Sequence, residues 1–233
     1  MQNKKNRLNI ERAIAESLRR QEDQRKEYRI FGRLFYLHKP FITALDVQAV
    51  IDDIESTIPQ HLFDEVDQIM IGDFEFLQDK AREAEFKDGA IYITNQIGSE
   101  KDLAENIIHE LSHSIEIKYG HLIYGDMSLR SEFLGKRSRL KSILDSNGWE
   151  TSEEEFNETE YSEEFDSFLY EEIGYIELGA YISGLFVSPY AVTSLAEYWA
   201  VGFEDYFIGD REYVRKISPQ LFSKIEGVLF YDI

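Results

Sequence analysis

Apolar positions recur along the chain in two periods. Val47, Val50, Ile51 and Ile54 fall at i, i+3, i+4 and i+7 and predict one helix, with Thr43 placed to cap it and Pro59 just beyond its end. The second half of residues 67–77 (DQIMIGDFEFL) alternates like a strand. Residues 89–94 (GAIYIT) form a β-rich run after the turn signal Lys87-Asp88-Gly89, which predicts two neighbouring strands. A helix then starts at Ser99, where Asp102 completes a capping-box pattern, and Gly120 is placed to stop it.

Elsewhere the pattern is thinner. Residues 8–30 read as a polar helix with a narrow stripe of Leu8, Ile10, Ile14 and Leu18, and residues 126–144 as an amphipathic helix whose basic face is solvated. Residues 217–229 predict a C-terminal helix with Pro219 in its first turn and Leu221, Phe222, Ile225, Val228 and Leu229 on its core side. The uncharged run 178–196 reaches membrane-spanning length. Pro189 and its scattered Ser, Thr, Gly and Tyr instead predict two buried elements meeting at Ser188-Pro189, and no membrane association.

Composition adds three constraints. With 43% apolar residues, only 14 Gly and 4 Pro among 233 positions, the chain can bury a sizeable core. It has no cysteine, so any transition metal must be held by His and carboxylates. The start lacks the apolar stretch of a secretory signal, which leads to the expectation of a cytoplasmic protein. Residues 1–40 carry 11 Lys/Arg against 5 Asp/Glu, whereas the remaining 193 carry 14 against 40, and no Lys or Arg occurs between Lys141 and Arg211. That surface repels nucleic-acid phosphates and favours basic partners. The acidic stretch at about 145–175 reads most simply as a solvated insertion, the alternative being that the basic N-terminal arm lies across it.

The stretch DLAENIIHELSHSIEIKYG contains His109-Glu110-Leu111-Ser112-His113. On a helix the two imidazoles, at i and i+4, project from one face and can share a cation. Glu110, beside them, is placed to take a proton from an attacking water and pass it to a leaving amine. A catalytic zinc needs a third protein ligand. His121 is two residues too late for the extended HExxHxxGxxH pattern, in which Glu116 and Tyr119 occupy the Gly and third His positions. Glu197, in an apolar, aromatic helix that Ser194 begins, is the candidate; the competing reading is that it only closes a capping box.

HELSH followed by YAVTSLAEYWAVGFEDYF resembles the gluzincin group that contains the anthrax lethal factor catalytic domain and the Pro-Pro endopeptidases. Glu197-Tyr198-Trp199-Ala200-Val201-Gly202-Phe203 is similar to that group's E-aromatic-aromatic-A-x-x-F helix, with Tyr190 seven residues before Glu197. The resemblance implies zinc held by His109, His113 and Glu197, Glu110 as general base and Tyr190 as oxyanion stabiliser. Two features depart from the group: 84 residues separate His113 from Glu197, and Val201 stands where an acid often follows the ligand. The implied fold is α+β and zincin-like, a small twisted sheet packed on the HExxH helix with a mainly helical C-terminal half. Residues 1–40 would be a basic helical arm and 41–233 one catalytic domain. Zincin peptidases bind an extended substrate along an edge strand, for which Ala90, Ile91, Tyr92 and Ile93 are the candidate, a fully paired internal strand being the other reading. The expected activity is zinc-dependent endopeptidase cleavage of protein or peptide substrates, with a non-catalytic zinc-binding or interaction module as the alternative.

Overall fold

The computed structural model describes residues 26–231. Five strands form one sheet: β1 (Glu27–Ile30), β2 (Arg33–Leu37), β3 (Gln68–Gly72), β4 (Ala84–Lys87) and β5 (Ala90–Thr94), in spatial order β1-β2-β3-β5-β4. β2, β3 and β5 run parallel, and β1 and β4 are antiparallel edges. Each edge is joined to its neighbour by a two-residue turn with both residues left-handed, Phe31-Gly32 (φ 46° and 79°) and Asp88-Gly89 (φ 50° and 78°), the twist that suits a tight hairpin.

One face of the sheet is apolar. Tyr28, Phe35, Ile69 and Ile91 lie in register across it, with Leu37, Ile71 and Ile93 forming a second row. Against that face packs α1 (Val47–Thr57), through Val47, Val50, Ile51 and Ile54. Asp46 rather than Thr43 caps it, accepting from Ala49 N–H at 3.0 Å; the Thr43 hydroxyl donates instead to the Ile97 carbonyl. The alternation in residues 67–77 is misleading: the strand occupies the first half, and residues 75–79 form the short helix α2 (Glu75–Asp79). Residues 8–25 of the expected polar helix lie outside the described residues. Residues 27–37 are strands of the sheet, so the arm cannot extend to residue 40.

The long helix α3 (Glu100–Tyr124) lies beside β4 and β5. Ser99 caps it by accepting from Asp102 N–H at 3.1 Å, and Leu103, Ile107, Ile108, Leu111 and Ile115 bury its inner face. Gly120 does not end it; open space surrounds that position and the helix runs on to Tyr124. The rest of the described chain is helical: α4 (Ser128–Ser146), α5 (Glu153–Asn157), α6 (Glu163–Ser167), a π-helical turn at Phe168–Ile173, α7 (Tyr175–Tyr181), α8 (Leu195–Ile208), α9 (Arg211–Ile217) and α10 (Pro219–Leu229). This is an α+β architecture, and no helix among the described residues is long and apolar enough to cross a membrane.

Two polar surfaces read from the sequence are in fact anchored inside. The acidic stretch turns its glutamates to solvent but buries Phe156, Phe165 and Leu169 in the core, so it is a packed wall and not a solvated insertion. The basic face of α4 is not simply solvated either, since Lys136 and Arg137 are both buried.

Candidate metal centre

Helix α3 presents His109 and His113 one turn apart, their ring centroids 5.2 Å from each other. Helix α8 crosses it, locked by Trp199, whose buried indole N–H donates to the Ser112 carbonyl at 3.1 Å. That crossing brings Glu197 in the first turn of α8 to the imidazoles. Its Oε2 lies 3.1 Å from His109 Nε2 and 3.8 Å from His113 Nε2. Ser194 does cap α8, accepting from Glu197 N–H at 3.0 Å, but the Glu197 carboxylate turns away from the cap and toward the histidines.

These three side chains fit a metal ion. They can each offer one donor atom, all within 4.8 Å of one another. The 3.1 and 3.8 Å separations bracket the roughly 3.4 Å between ligand atoms of a tetrahedral zinc with bonds near 2.1 Å. The opposite ring nitrogens are also engaged. His109 Nδ1 lies 3.2 Å from Glu204 Oε2, and His113 Nδ1 lies 3.0 Å from Glu116 Oε1, whose other oxygen accepts from Tyr124 O–H at 2.7 Å. Carboxylates on Nδ1 fix the tautomer that leaves Nε2 free to ligate. Burial alone would lower the His109 and His113 pKa values. The hydrogen bonds to Glu197 and Glu204 at His109, and to Glu116 at His113, outweigh it and raise both. Glu197 is the converse: burial would raise it, yet His109, His113 and Tyr190 hold it low and ionised.

Glu110 is buried on the same turn of α3. Its Oε2 accepts from Phe86 N–H of β4 at 2.6 Å, and burial raises its pKa against the pull of the two histidines. Tyr190, in a 3₁₀ turn at Tyr190–Val192, donates its O–H to Glu197 Oε1 at 3.2 Å. Burial and the nearby Glu197 charge push its own pKa well up, so it stays a donor at neutral pH. All five predicted ligand and catalytic residues therefore meet around one cleft of about 640 Å³.

The predicted substrate strand does not join them. β5 is paired with β3 on one side and β4 on the other, which leaves Ala90, Ile91, Tyr92 and Ile93 inside the sheet. The open edge beside the cleft is β4, a strand too short and too charged (AEFK) to stand out by periodicity. Sequence reasoning also missed Glu116 and Glu204, although three residues after His113 and seven after Glu197 are the spacings that keep each on the face of its neighbour. Glu204 supplies the carboxylate that Val201 cannot.

Seven carboxylates line the cleft against two cations, Lys80 and Arg82. No protein-family model, curated protein or solved structure matches the chain.

Proposed function

We propose that this protein is a zinc-dependent endopeptidase of the gluzincin kind. The observation that carries the reading is the convergence of His109, His113 and Glu197, from two separate helices, beside a buried Glu110 and a donating Tyr190. A zinc ion held by these three residues would supply Lewis acidity and bring the pKa of water toward about 7. The chain's own groups do the rest. Glu110, oriented through one oxygen by Phe86 N–H, keeps the other free to take a proton from water and return it to the leaving amine. The Tyr190 phenol donates to the oxyanion that develops on the scissile carbonyl.

The substrate would lie extended along β4. Lys87 and Ala90 close the hairpin, and Thr94 N–H donates to the Glu83 carbonyl at 2.8 Å; alternate residues therefore bond inward to β5. Ala84 turns its N–H and C=O, and Phe86 its C=O, outward to the cleft, where a peptide can add as a further strand; the outward Phe86 N–H is taken by Glu110. The excess of carboxylates in the cleft favours Lys and Arg around the cut.

Metal analysis of the native protein, paired with hydrolysis of a peptide library, tests this reading. Stoichiometric zinc, cleavage enriched in basic residues and a Glu110→Gln variant that keeps its metal but loses turnover are expected. A metal-loaded parent that cleaves no peptide would favour a binding module, and parental rates in Glu110→Gln would remove Glu110 from the reaction. Indifference to Lys and Arg would dismiss the charge argument alone.

A further inference from the structure

Arg137, in the middle of α4, is fully buried and has no carboxylate partner among the described residues. Its guanidinium spends its donors on main-chain carbonyls from two segments far apart in sequence. Nε donates to Val192 O at 2.9 Å and Nη2 to Thr193 O at 3.1 Å, while Nη1 donates to Glu155 O at 3.1 Å and to Glu158 O. The rings of Phe133 and Phe165 cover it at 4.9 and 4.2 Å. Val192 and Thr193 belong to the short connection between Tyr190 and the Ser194 cap of α8. Glu155 and Glu158 belong to the acidic wall. A second bond joins the same two segments, Leu195 N–H to the Thr159 carbonyl at 2.8 Å.

We infer that Arg137 is a positioning residue: it fastens the Tyr190–Glu197 connection to the acidic wall and so holds the third metal ligand and the phenol at the histidines of α3. Several features carry this beyond ordinary core filling. A planar fork with fixed donor directions sets the relative place of two backbone segments in a way that an apolar side chain of equal volume cannot. The acidic segment also contributes Tyr161 and Asp166 to the cleft lining, so the wall and the ligand helix are parts of one site. The claim rests on the metal centre proposed above and adds what keeps that centre assembled.

Zinc dissociation constants test it directly. Arg137→Lys keeps the charge and loses the fork. Leu195→Pro removes the second bond, and with it the partly buried leucine side chain, at the first helical position, where proline is tolerated, behind an extended Ser194 (φ −155°, ψ 168°) that suits a following proline. Ile51→Val on α1 is a core substitution outside the cleft and serves as the control. Arg137→Lys is expected to weaken zinc binding about 10- to 100-fold, the usual effect of losing a residue that supports metal ligands. Leu195→Pro should shift in the same direction and Ile51→Val should stay at the parental value. In turnover, the loss caused by Tyr190→Phe should shrink when Arg137→Lys is already present, because both act through one phenol. An Arg137→Lys protein that binds zinc as tightly as the parent overturns the proposal; if that variant does not fold, a Leu195→Pro protein with parental affinity does so. Zinc loss no greater than in the Ile51→Val control also overturns it. A parent that binds zinc without cleaving peptides defeats the peptidase reading and leaves this test intact, whereas a parent that binds no zinc defeats both.

Discussion

The two walls of the cleft are built in opposite ways. One is local: α3 carries both histidines and Glu110 within five residues, on a helix whose inner face is sealed by Leu103, Ile107, Leu111 and Ile115. The other is assembled: Glu197, Tyr190 and Glu204 come to the histidines through tertiary contacts, with the Trp199 indole bonding α8 to α3 and Arg137 bonding the preceding turn and a distant segment. A site of this kind has a rigid half that secondary structure alone places, and a half that depends on tertiary contacts. Substitutions in the first should remove chemistry with geometry intact, and those in the second should remove geometry.

The largest expected effect belongs to the local wall. Glu110→Gln should lower kcat about 10²- to 10⁴-fold, the range for a lost general base, with the metal content unchanged. Metal analysis beside steady-state kinetics checks it, and loss of metal in this variant would erase the distinction between the walls.

Tyr190→Phe in the assembled wall should come next. Losing an oxyanion donor costs about 10²- to 10³-fold in kcat. The same substitution removes the O–H donated to Glu197, so zinc affinity should also move, which it should not do in Glu110→Gln. Parental zinc affinity together with parental kcat would exclude the phenol from both roles.

Glu116 and Glu204 compare the walls at matched chemistry, since each holds one imidazole by Nδ1. Either one changed to Ala should weaken zinc binding about 10- to 100-fold. Glu116 is three residues from its histidine on one helix, whereas Glu204 comes from α8. Glu116→Gln keeps the side chain's length and an acceptor oxygen and should therefore preserve placement, whereas Glu204→Gln should depend additionally on how α8 sits. Isothermal titration of zinc into the four variants measures both.

What the sequence made legible follows the same division. HELSH was readable because its ligand spacing is a helix spacing, and α1, α3 and α10 were readable because each buries a regular apolar stripe. Glu197 was recoverable only through its aromatic surroundings and the resemblance those residues carry. β4 was not, because an edge strand of four residues needs little burial and shows little pattern. The acidic wall read as solvent-exposed because its glutamates outnumber the few aromatics, Phe156 and Phe165, that anchor it. The basic residues of α4 argue for exposure by their charge, and only the carbonyls of sequence-distant segments explain why Arg137 is inside.

Lys136 sharpens that last point, as the neighbour whose burial lacks such a set of carbonyls. Its ammonium donates to Ser218 Oγ at 2.5 Å and sits over Tyr198 and Phe186, at 4.8 and 5.5 Å from the ring centres. Burial pulls its pKa down from the ordinary 10.5 to about 8, against the attraction of Glu132. Between pH 8 and 10.5 the unfolded chain thus holds a proton that the folded protein has released, so folding becomes more favourable as pH rises through that window. The full difference is about 3 kcal/mol at one pKa unit per 1.36 kcal/mol. Buried tyrosines work the other way above pH 10: Tyr124, Tyr190 and Tyr198 resist ionisation in the folded state and lose stability once the unfolded phenols ionise. The raised pKa values of His109 and His113 cost stability over the same interval, so the comparison is between proteins: on going from pH 7.5 to 9.5 in urea unfolding, the parent should gain more, or lose less, stability than Lys136→Met, because methionine keeps the apolar stem without the charge and the other titrations are common to both. Equal changes in the two proteins would mean that Lys136 stays hydrated, and would leave Arg137 as the only cation on α4 whose burial shapes the fold.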